Sequence, residues 1–461
     1  MNERSNFSGK LGFVLAAAGS AVGLGNIWRF PYLAAKNGGG LFLLVYFILT
    51  LTFGFTLLTT EVALGRKTKQ SPLTAYGVVN KKWNGLGVLA CIVPIIILPY
   101  YCAIGGWVLK YFCTFITGHD KDTIADGYFT GFITSDVAPI IFAVVFVVAT
   151  AVIVYLGVEG GIEKYSRILM PILFIMIVGI AIFSLTLKKS VDGATKTGLD
   201  GLKIYLLPDF TDITFGKLLS VIMDAMGQLF YSISVAMGIM IAYGSYVKDD
   251  VNLMSSINQI EIFDTLVAFF AGMMIIPAVV VFMGAEGLSA GPGLIFVSLP
   301  KIFNEMGGIG IIIGIVFFLM VLFAAITSSV SIMEAIVSSI MDKFGFSRHK
   351  AATLTTVYAV VMGIVVCLGY NMFYFEANIG TVVKGQILDI MDYLSNNIMM
   401  PIVAILSCVL IGWIAKPKTI IDEVTKNGEK FSRKTLYIIM VKFIAPLLLF
   451  MLLLNAFGVF Q

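Results

Sequence analysis

Gly19-Ser20-Ala21-Val22-Gly23-Leu24-Gly25-Asn26-Ile27-Trp28-Arg29-Phe30-Pro31 lies inside an apolar segment of about residues 10–35, and carries three glycines in seven residues before Asn26. Such a run is poor continuous helix, because interior glycine costs about 1 kcal/mol relative to alanine. A spanning helix that breaks here exposes backbone N–H and C=O groups at membrane depth. They are tolerated there only where they face protein, ions or a watery cavity. The break is therefore a candidate binding site.

The surrounding chain is built for a bilayer. Its 461 residues are 59% hydrophobic and 13% charged, with mean hydropathy +0.96, which places it among polytopic membrane proteins. Apolar runs near 10–35, 41–64, 86–117, 138–157, 167–187, 217–247, 257–283, 309–341, 351–370, 386–414 and 434–458 predict an all-α membrane protein of about 11 spans. The net charge of +4 says little, but its distribution does. Arg66, Lys67, Lys69, Lys81 and Lys82 fall between spans two and three, and Lys343, Arg348, His349 and Lys350 between eight and nine, whereas the loop near 119–136 is acidic. The positive-inside rule puts the N-terminus in the cytoplasm, and an odd span count puts the C-terminus outside. The first apolar run lacks a small-residue cleavage site, so no cleavable signal peptide is expected.

Cys91, Cys102, Cys113, Cys367 and Cys408 all lie in or beside apolar runs without metal-ligand spacing, and read as core residues. His119 and His349, the two histidines, fall in predicted loops, which excludes a histidine-based catalytic centre within the membrane. No enzyme and no nucleic-acid partner is expected.

Several polar residues within the apolar runs ask for a reason. Tyr46 starts span two, which ends in Glu61-Val62-Ala63-Leu64-Gly65-Arg66. Tyr100 and Tyr101 in span three point to different sides of a helix, so at most one lines a given pocket, with Ile97 one turn before Tyr101; packing is the simpler reading of either. Span six carries a second break, Gly227 to Gly238, in which Ser232 and Ser234 read equally well as hydroxyls bonded to their own helix. Breaks in spans one and six are the spacing that an inverted five-span repeat requires. That organisation predicts one domain over 1–461, with a first repeat at about 10–187, a second at about 217–414 and an additional helix at 434–458. Asp264 in span seven is costly unless it meets a cation or is protonated. Ala324, Thr327 and Ser328, at i, i+3 and i+4, put one carbonyl and two hydroxyls on one face of span eight.

The run GSAVGLGNIWRFPYLAAKNGGG, residues 19–40, resembles the first transmembrane helix of the neurotransmitter:sodium symporter family, and further matches extend from Arg4 to about residue 410. The resemblance implies a cell-membrane, sodium-coupled amino-acid symporter working by alternating access, with broken helices 1 and 6. By that resemblance a first sodium ion takes the Ala21 carbonyl, Asn26, Ser232, Asp264 and the substrate carboxylate. A second takes the carbonyls of Gly19, Val22 and Ala324 with the hydroxyls of Thr327 and Ser328. The substrate carboxylate meets the N–H groups of Leu24 and Gly25 and the hydroxyl of Tyr101, and the ammonium meets carbonyls of Ala21, Tyr231 and Ser234. Tyr231 lids a side-chain cavity of Ser20, Ile97, Ala236, Met237, Ser328 and Ile332. Arg29 and Asp392 form the outer gate, and Arg4 and Asp342 the inner one.

Gly23 leaves room for a carboxylate where monoamine-carrying relatives have aspartate, and Ile97, Met237 and Ile332 favour an apolar or aromatic amino acid. Chloride-dependent relatives hold the anion near positions matching Tyr46, Gln228 and Ser232. Here Ala268 replaces a further serine ligand, and Asp264 brings its own charge, so no chloride requirement is expected. A proton-coupled carrier using Asp264 is the alternative; the preferred amino acid and the choice between monomer and homodimer stay open.

Overall fold

The computed structural model describes residues 6–191, 194–211, 213–290, 293–379 and 383–459. Among them, nine helices are long and apolar enough to cross a membrane. These are span 2 (Gly40–Thr68), span 3 (Lys81–Ile116), span 4 (Ala138–Tyr155), span 5 (Val158–Thr186), span 7 (Leu253–Met283), span 8 (Gly308–Phe344), span 9 (Arg348–Leu368), span 10 (Ile387–Ile414) and span 11 (Lys434–Ala456). Span 1 is a pair, Lys10–Ala21 and Gly25–Lys36, bent by 53°. Span 6 is Phe215–Ser232 followed, after the unwound residues 233–238, by Ile239–Ser245. Counted this way the helices follow the eleven apolar runs, and the broken ones are the first and the sixth.

Both breaks have local causes. Val22 turns to an extended backbone (φ −78°, ψ 90°), and the Asn26 side chain accepts the Gly23 N–H at 3.4 Å, so the half-helix restarts at Gly25. In the sixth span, Ser234 (φ 54°) and Ala236 (φ 60°) adopt left-handed conformations that cost side-chain-bearing residues about 1–3 kcal/mol each. Tertiary bonds offset that cost: the Ser234 hydroxyl donates to the Ser20 carbonyl at 3.0 Å, and the Ala236 N–H donates to Glu61 Oε1 at 2.6 Å. Span 2 approaches the second half of span 6 so closely that a Cβ on Gly65 would lie 2.1 Å from the Ile241 carbonyl oxygen. Small residues at such crossings let backbones pack in the absence of a hydrophobic driving force within lipid.

The first half of span 1 packs against spans 5, 7 and 8. Below it, on the N-terminal face, Phe7 is buried among Phe13, Tyr243 and Tyr246, and donates its N–H to the Tyr246 carbonyl at 3.1 Å. Arg348 grips Glu334 with two bonds, at 2.8 and 2.7 Å, and the Tyr246 hydroxyl donates to the same carboxylate at 2.6 Å. Asp342 accepts the Ser71 N–H at 2.6 Å; Arg4, its expected gate partner, lies outside the described residues. Asp249, in the turn after span 6, sits between Lys426 and Lys69, whose bonds hold its carboxyl down at about 2. What those bonds contribute is present above the ordinary carboxylate range and is lost only as pH falls towards that value.

The long connection before span 6 folds into an antiparallel pair, Lys188–Val191 with Ala194–Thr197, and a helix, Gly198–Leu206, capped by Thr197 and Asp200. A second small pair joins Ala377–Ile379 to Val383–Gly385. Neither hairpin is apparent in the apolar pattern, which reports burial in lipid and not short polar strands.

Candidate functional site

The two breaks meet. Between them lies a small cavity lined by residues of span 1 (Ser20, Ala21, Gly23, Gly25, Asn26), span 3 (Ile97, Tyr101), span 6 (Tyr231, Ser232, Ser234, Met237) and span 8 (Ser328, Ile332). Twelve of these thirteen are residues expected at a substrate or ion site; Gly23, the other one, was expected to leave space, and it does. A Cβ there would stand 2.8 Å from Ser328 Oγ and 3.1 Å from the Tyr101 hydroxyl, in the middle of the cavity's polar corner. The Tyr101 hydroxyl accepts the Leu24 N–H at 3.5 Å, so an N–H of the restarted half-helix and this phenol face one another. Helix N-termini favour anions by their free N–H groups and dipole.

Leu24, expected to offer its N–H, directs it to Tyr101 and lines the cavity above; Ala236, expected in the cavity wall, lies outside the lining and gives its N–H to Glu61.

At the base of the cavity, fully buried Asp264 gathers one donor from each broken span. Its Oδ1 accepts the Asn26 side-chain amide at 2.8 Å and the Ser232 hydroxyl at 2.7 Å, while Oδ2 accepts the Tyr46 hydroxyl at 3.4 Å. Gln228, also buried, donates to the Gly25 carbonyl at 3.0 Å and leaves its own Oε1 without a partner among the described residues. Carboxylate, amide, hydroxyl and the Ala21 carbonyl are oxygen donors of the kind hard cations take.

A second cluster lies beside the first. The Ser328 hydroxyl sits 3.4, 3.1 and 3.5 Å from the carbonyl oxygens of Gly19, Ser20 and Val22, and the Thr327 hydroxyl is bonded to the carbonyls of Phe323 and Ala324 at 3.0 and 3.1 Å. The Thr327 hydroxyl thus bonds its own helix, whereas that of Ser328 brings span 8 to the unwound end of Lys10–Ala21.

Above the cavity, the Tyr231 ring packs over Gly25, whose added Cβ would lie 2.7 Å from it. Beyond that lid is a larger cavity, which Arg29 and Asp392 both line. No hydrogen bond or ion pair joins these two among the described residues; Asp392 instead accepts the Asn396 amide at 2.6 Å.

Sequence reasoning gave no role to Glu61, which the fold brings to span 6, or to Glu163, which accepts the Ser8 N–H at 2.7 Å and pairs with Arg167. Ala236 and Ser8 lie 175 and 155 positions from these acids, beyond any spacing rule, whereas Arg167 stands one helical turn from Glu163.

The sodium:neurotransmitter symporter family model matches residues 4–121 and 133–461. A sodium-dependent transporter of Haemophilus influenzae is 31% identical, with 98% of each chain covered, and one of Bacillus subtilis is 32% identical with the same coverage. The human sodium- and chloride-dependent GABA transporter 2 is 25% identical over 92% of this chain and 75% of its own. Among solved structures, MhsT in complex with L-phenylalanine matches with TM-score 0.86 at 35% identity, covering 98% of this chain and all of that one. The apolar helices make the chain a multi-pass membrane protein, and the family match over nearly its whole length gives its kinship: it belongs to the sodium:neurotransmitter symporter family.

Proposed function

We propose that the protein is a symporter that imports an apolar or aromatic amino acid with two sodium ions per cycle. The observation that carries this is Asp264, which holds Asn26 of one broken helix and Ser232 of the other at the base of a cavity whose polar corner Gly23 leaves free. A carboxylate entering that corner meets the half-helix N–H groups and Tyr101, and adds an oxygen to the first ion's shell, so ion and substrate bind as partners. The second ion sits among the Gly19, Val22, Ala324, Thr327 and Ser328 oxygens and ties span 8 to span 1. Ile97, Met237 and Ile332 supply the apolar wall, and methionine repacks around different shapes. With the N-terminus in the cytoplasm, as the loop charges direct, the Phe7 side faces inward and the cavity beneath Arg29 and Asp392 faces outward. The likeness to MhsT, whose structure holds L-phenylalanine, supports the substrate class.

Coupling to two ions suits uphill import. One sodium ion moving inward is worth ~2.3 kcal/mol per 100 mV, and a tenfold gradient adds ~1.4 kcal/mol. Two ions supply roughly 7 kcal/mol under those conditions, a ceiling of about 10⁵-fold accumulation. Uptake of a panel of labelled amino acids into proteoliposomes, with and without a sodium gradient, tests the proposal. Uptake that persists without sodium at acidic pH would instead support proton coupling through Asp264.

Two further outcomes follow. Asp392→Asn slows turnover while equilibrium binding persists, because the gate closes over a site that it does not build; transport at the normal rate would remove Asp392 from the gate. Uptake continues when gluconate replaces chloride at constant sodium, since an ionised Asp264 and a bound chloride in one low-dielectric site would repel strongly. The double change Asp264→Asn with Ala268→Ser confers a chloride requirement. Wild-type uptake that stops in gluconate would contradict the placement of Asp264.

A further inference from the structure

The buried acids inside the spans differ in their countercharges. Glu163, Glu261 and Glu334 each face an arginine, Arg167, Arg433 and Arg348, at 2.7, 2.8 and 2.7 Å. Asp264 has its three donors at the candidate ion site. Glu61 has neither. It is 4% exposed, its Oε1 accepts the Ala236 N–H at 2.6 Å, and its Oε2 has no partner among the described residues.

The titratable groups that face Glu61 are Tyr76, on the short helix Pro72–Val79, and Cys408 of span 10, neither of which carries positive charge. The other charges on elements packed against span 2 are engaged elsewhere or exposed: Glu261 with Arg433, Glu423 with Arg66, Asp264 with its donors, Asp224 with Lys36 and Asn37, Asp200 with Thr197, Lys442 over the Trp413 ring, and Lys203, Lys217, Lys418 and Asp422 at the surface. An ionised carboxylate with one hydrogen bond and no cation, buried within a membrane protein, is far costlier than a neutral acid. A proton is the countercharge that remains.

The one donor to Glu61 is not a fixed scaffold atom. Ala236 is left-handed, in the unwound segment 233–238, between Ser234 and Met237 of the pocket wall. A neutral carboxyl holds that N–H weakly and a carboxylate holds it strongly, so the charge on Glu61 and the shape of the segment are linked. We propose that Glu61 is a proton-binding site of the transport cycle: neutral in this structure, it exchanges its proton with water when segment 233–238 rearranges. The O–H bond breaks, the proton passes to water on whichever side is open, and the electron pair stays on Oε2 as carboxylate; the reverse step restores the acid. This rests on the reading of the pocket as the substrate site.

Two measurements on the full-length purified protein test it. The first is infrared spectroscopy: the carbonyl band of a protonated carboxylic acid is present in wild type and diminished in Glu61→Gln, which keeps an acceptor for the Ala236 N–H. The second is L-phenylalanine affinity in sodium against pH, where linkage to one proton changes Kd by up to about tenfold per pH unit. Wild type shows that slope and the glutamine variant is flat. An acid band of equal size in both proteins, or a wild-type Kd independent of pH, would overturn the proposal. If the variant does not fold, proton release or uptake by weakly buffered wild type on adding L-phenylalanine decides instead, and its absence would also overturn it. The infrared result needs no transport, so a failure of sodium-dependent L-phenylalanine uptake would fault the pocket reading and leave the proton site to be judged by its band.

Discussion

Replacing Thr327 by valine and Ser328 by alanine abolishes sodium-driven uptake while folded protein is still recovered. The double change removes two hydroxyls at little change in volume, from the place where span 8 meets the carbonyls of Gly19 and Val22. Hydrogen-bond-strength contacts to charged groups are each worth about 1.5–3 kcal/mol, so losing two costs on the order of a hundredfold or more in sodium affinity. The cost to folding is smaller, because the Thr327 hydroxyl bonds carbonyls of its own helix and span 8 keeps its apolar packing. Sodium activation of uptake, read beside thermal unfolding of the purified protein, separates the two. Near-normal sodium affinity in the folded variant would move the second ion elsewhere.

Asn26→Ala and Ser232→Ala weaken sodium and substrate binding together. Both side chains bond the same oxygen of Asp264, one from each broken helix. Removing either leaves the buried carboxylate short of a donor, at about 1–3 kcal/mol, or roughly a five- to hundredfold loss in affinity. On the proposed shared site, the loss in L-phenylalanine affinity shrinks as sodium is raised. Loss of substrate binding with an unchanged sodium dependence would count against a shared shell.

The breaks were legible because glycines and Asn26 interrupt an otherwise unbroken apolar run, a signal written entirely within the local chain. The number and order of the spans were legible in the apolar runs, but their ends were not: span 5, expected from 167, begins at Val158, and span 3, expected from 86, at Lys81. The alignment of Asp264, Thr327 and Ser328 with the first span came from resemblance: one carboxylate and two hydroxyls do not reveal across which helices they look. What stayed hidden depends on distant partners. Glu61 meets Ala236 across 175 positions, and Glu261 meets Arg433 across 172. Ala236 was expected to line the cavity, and its left-handed backbone turns it elsewhere. A wide π turn at Thr50–Gly54 is likewise invisible in a pattern of apolar residues, although near it Arg433 bonds the Leu51 carbonyl at 3.1 Å.

In the proposed cycle ion and substrate complete one another's site. Equilibrium binding of L-phenylalanine to the purified wild-type protein, titrated over sodium concentration at constant ionic strength with potassium as the replacement, tests it most directly. Kd falls steadily as sodium rises, and binding is lost in potassium alone. A Kd that is the same in sodium and in potassium would contradict it.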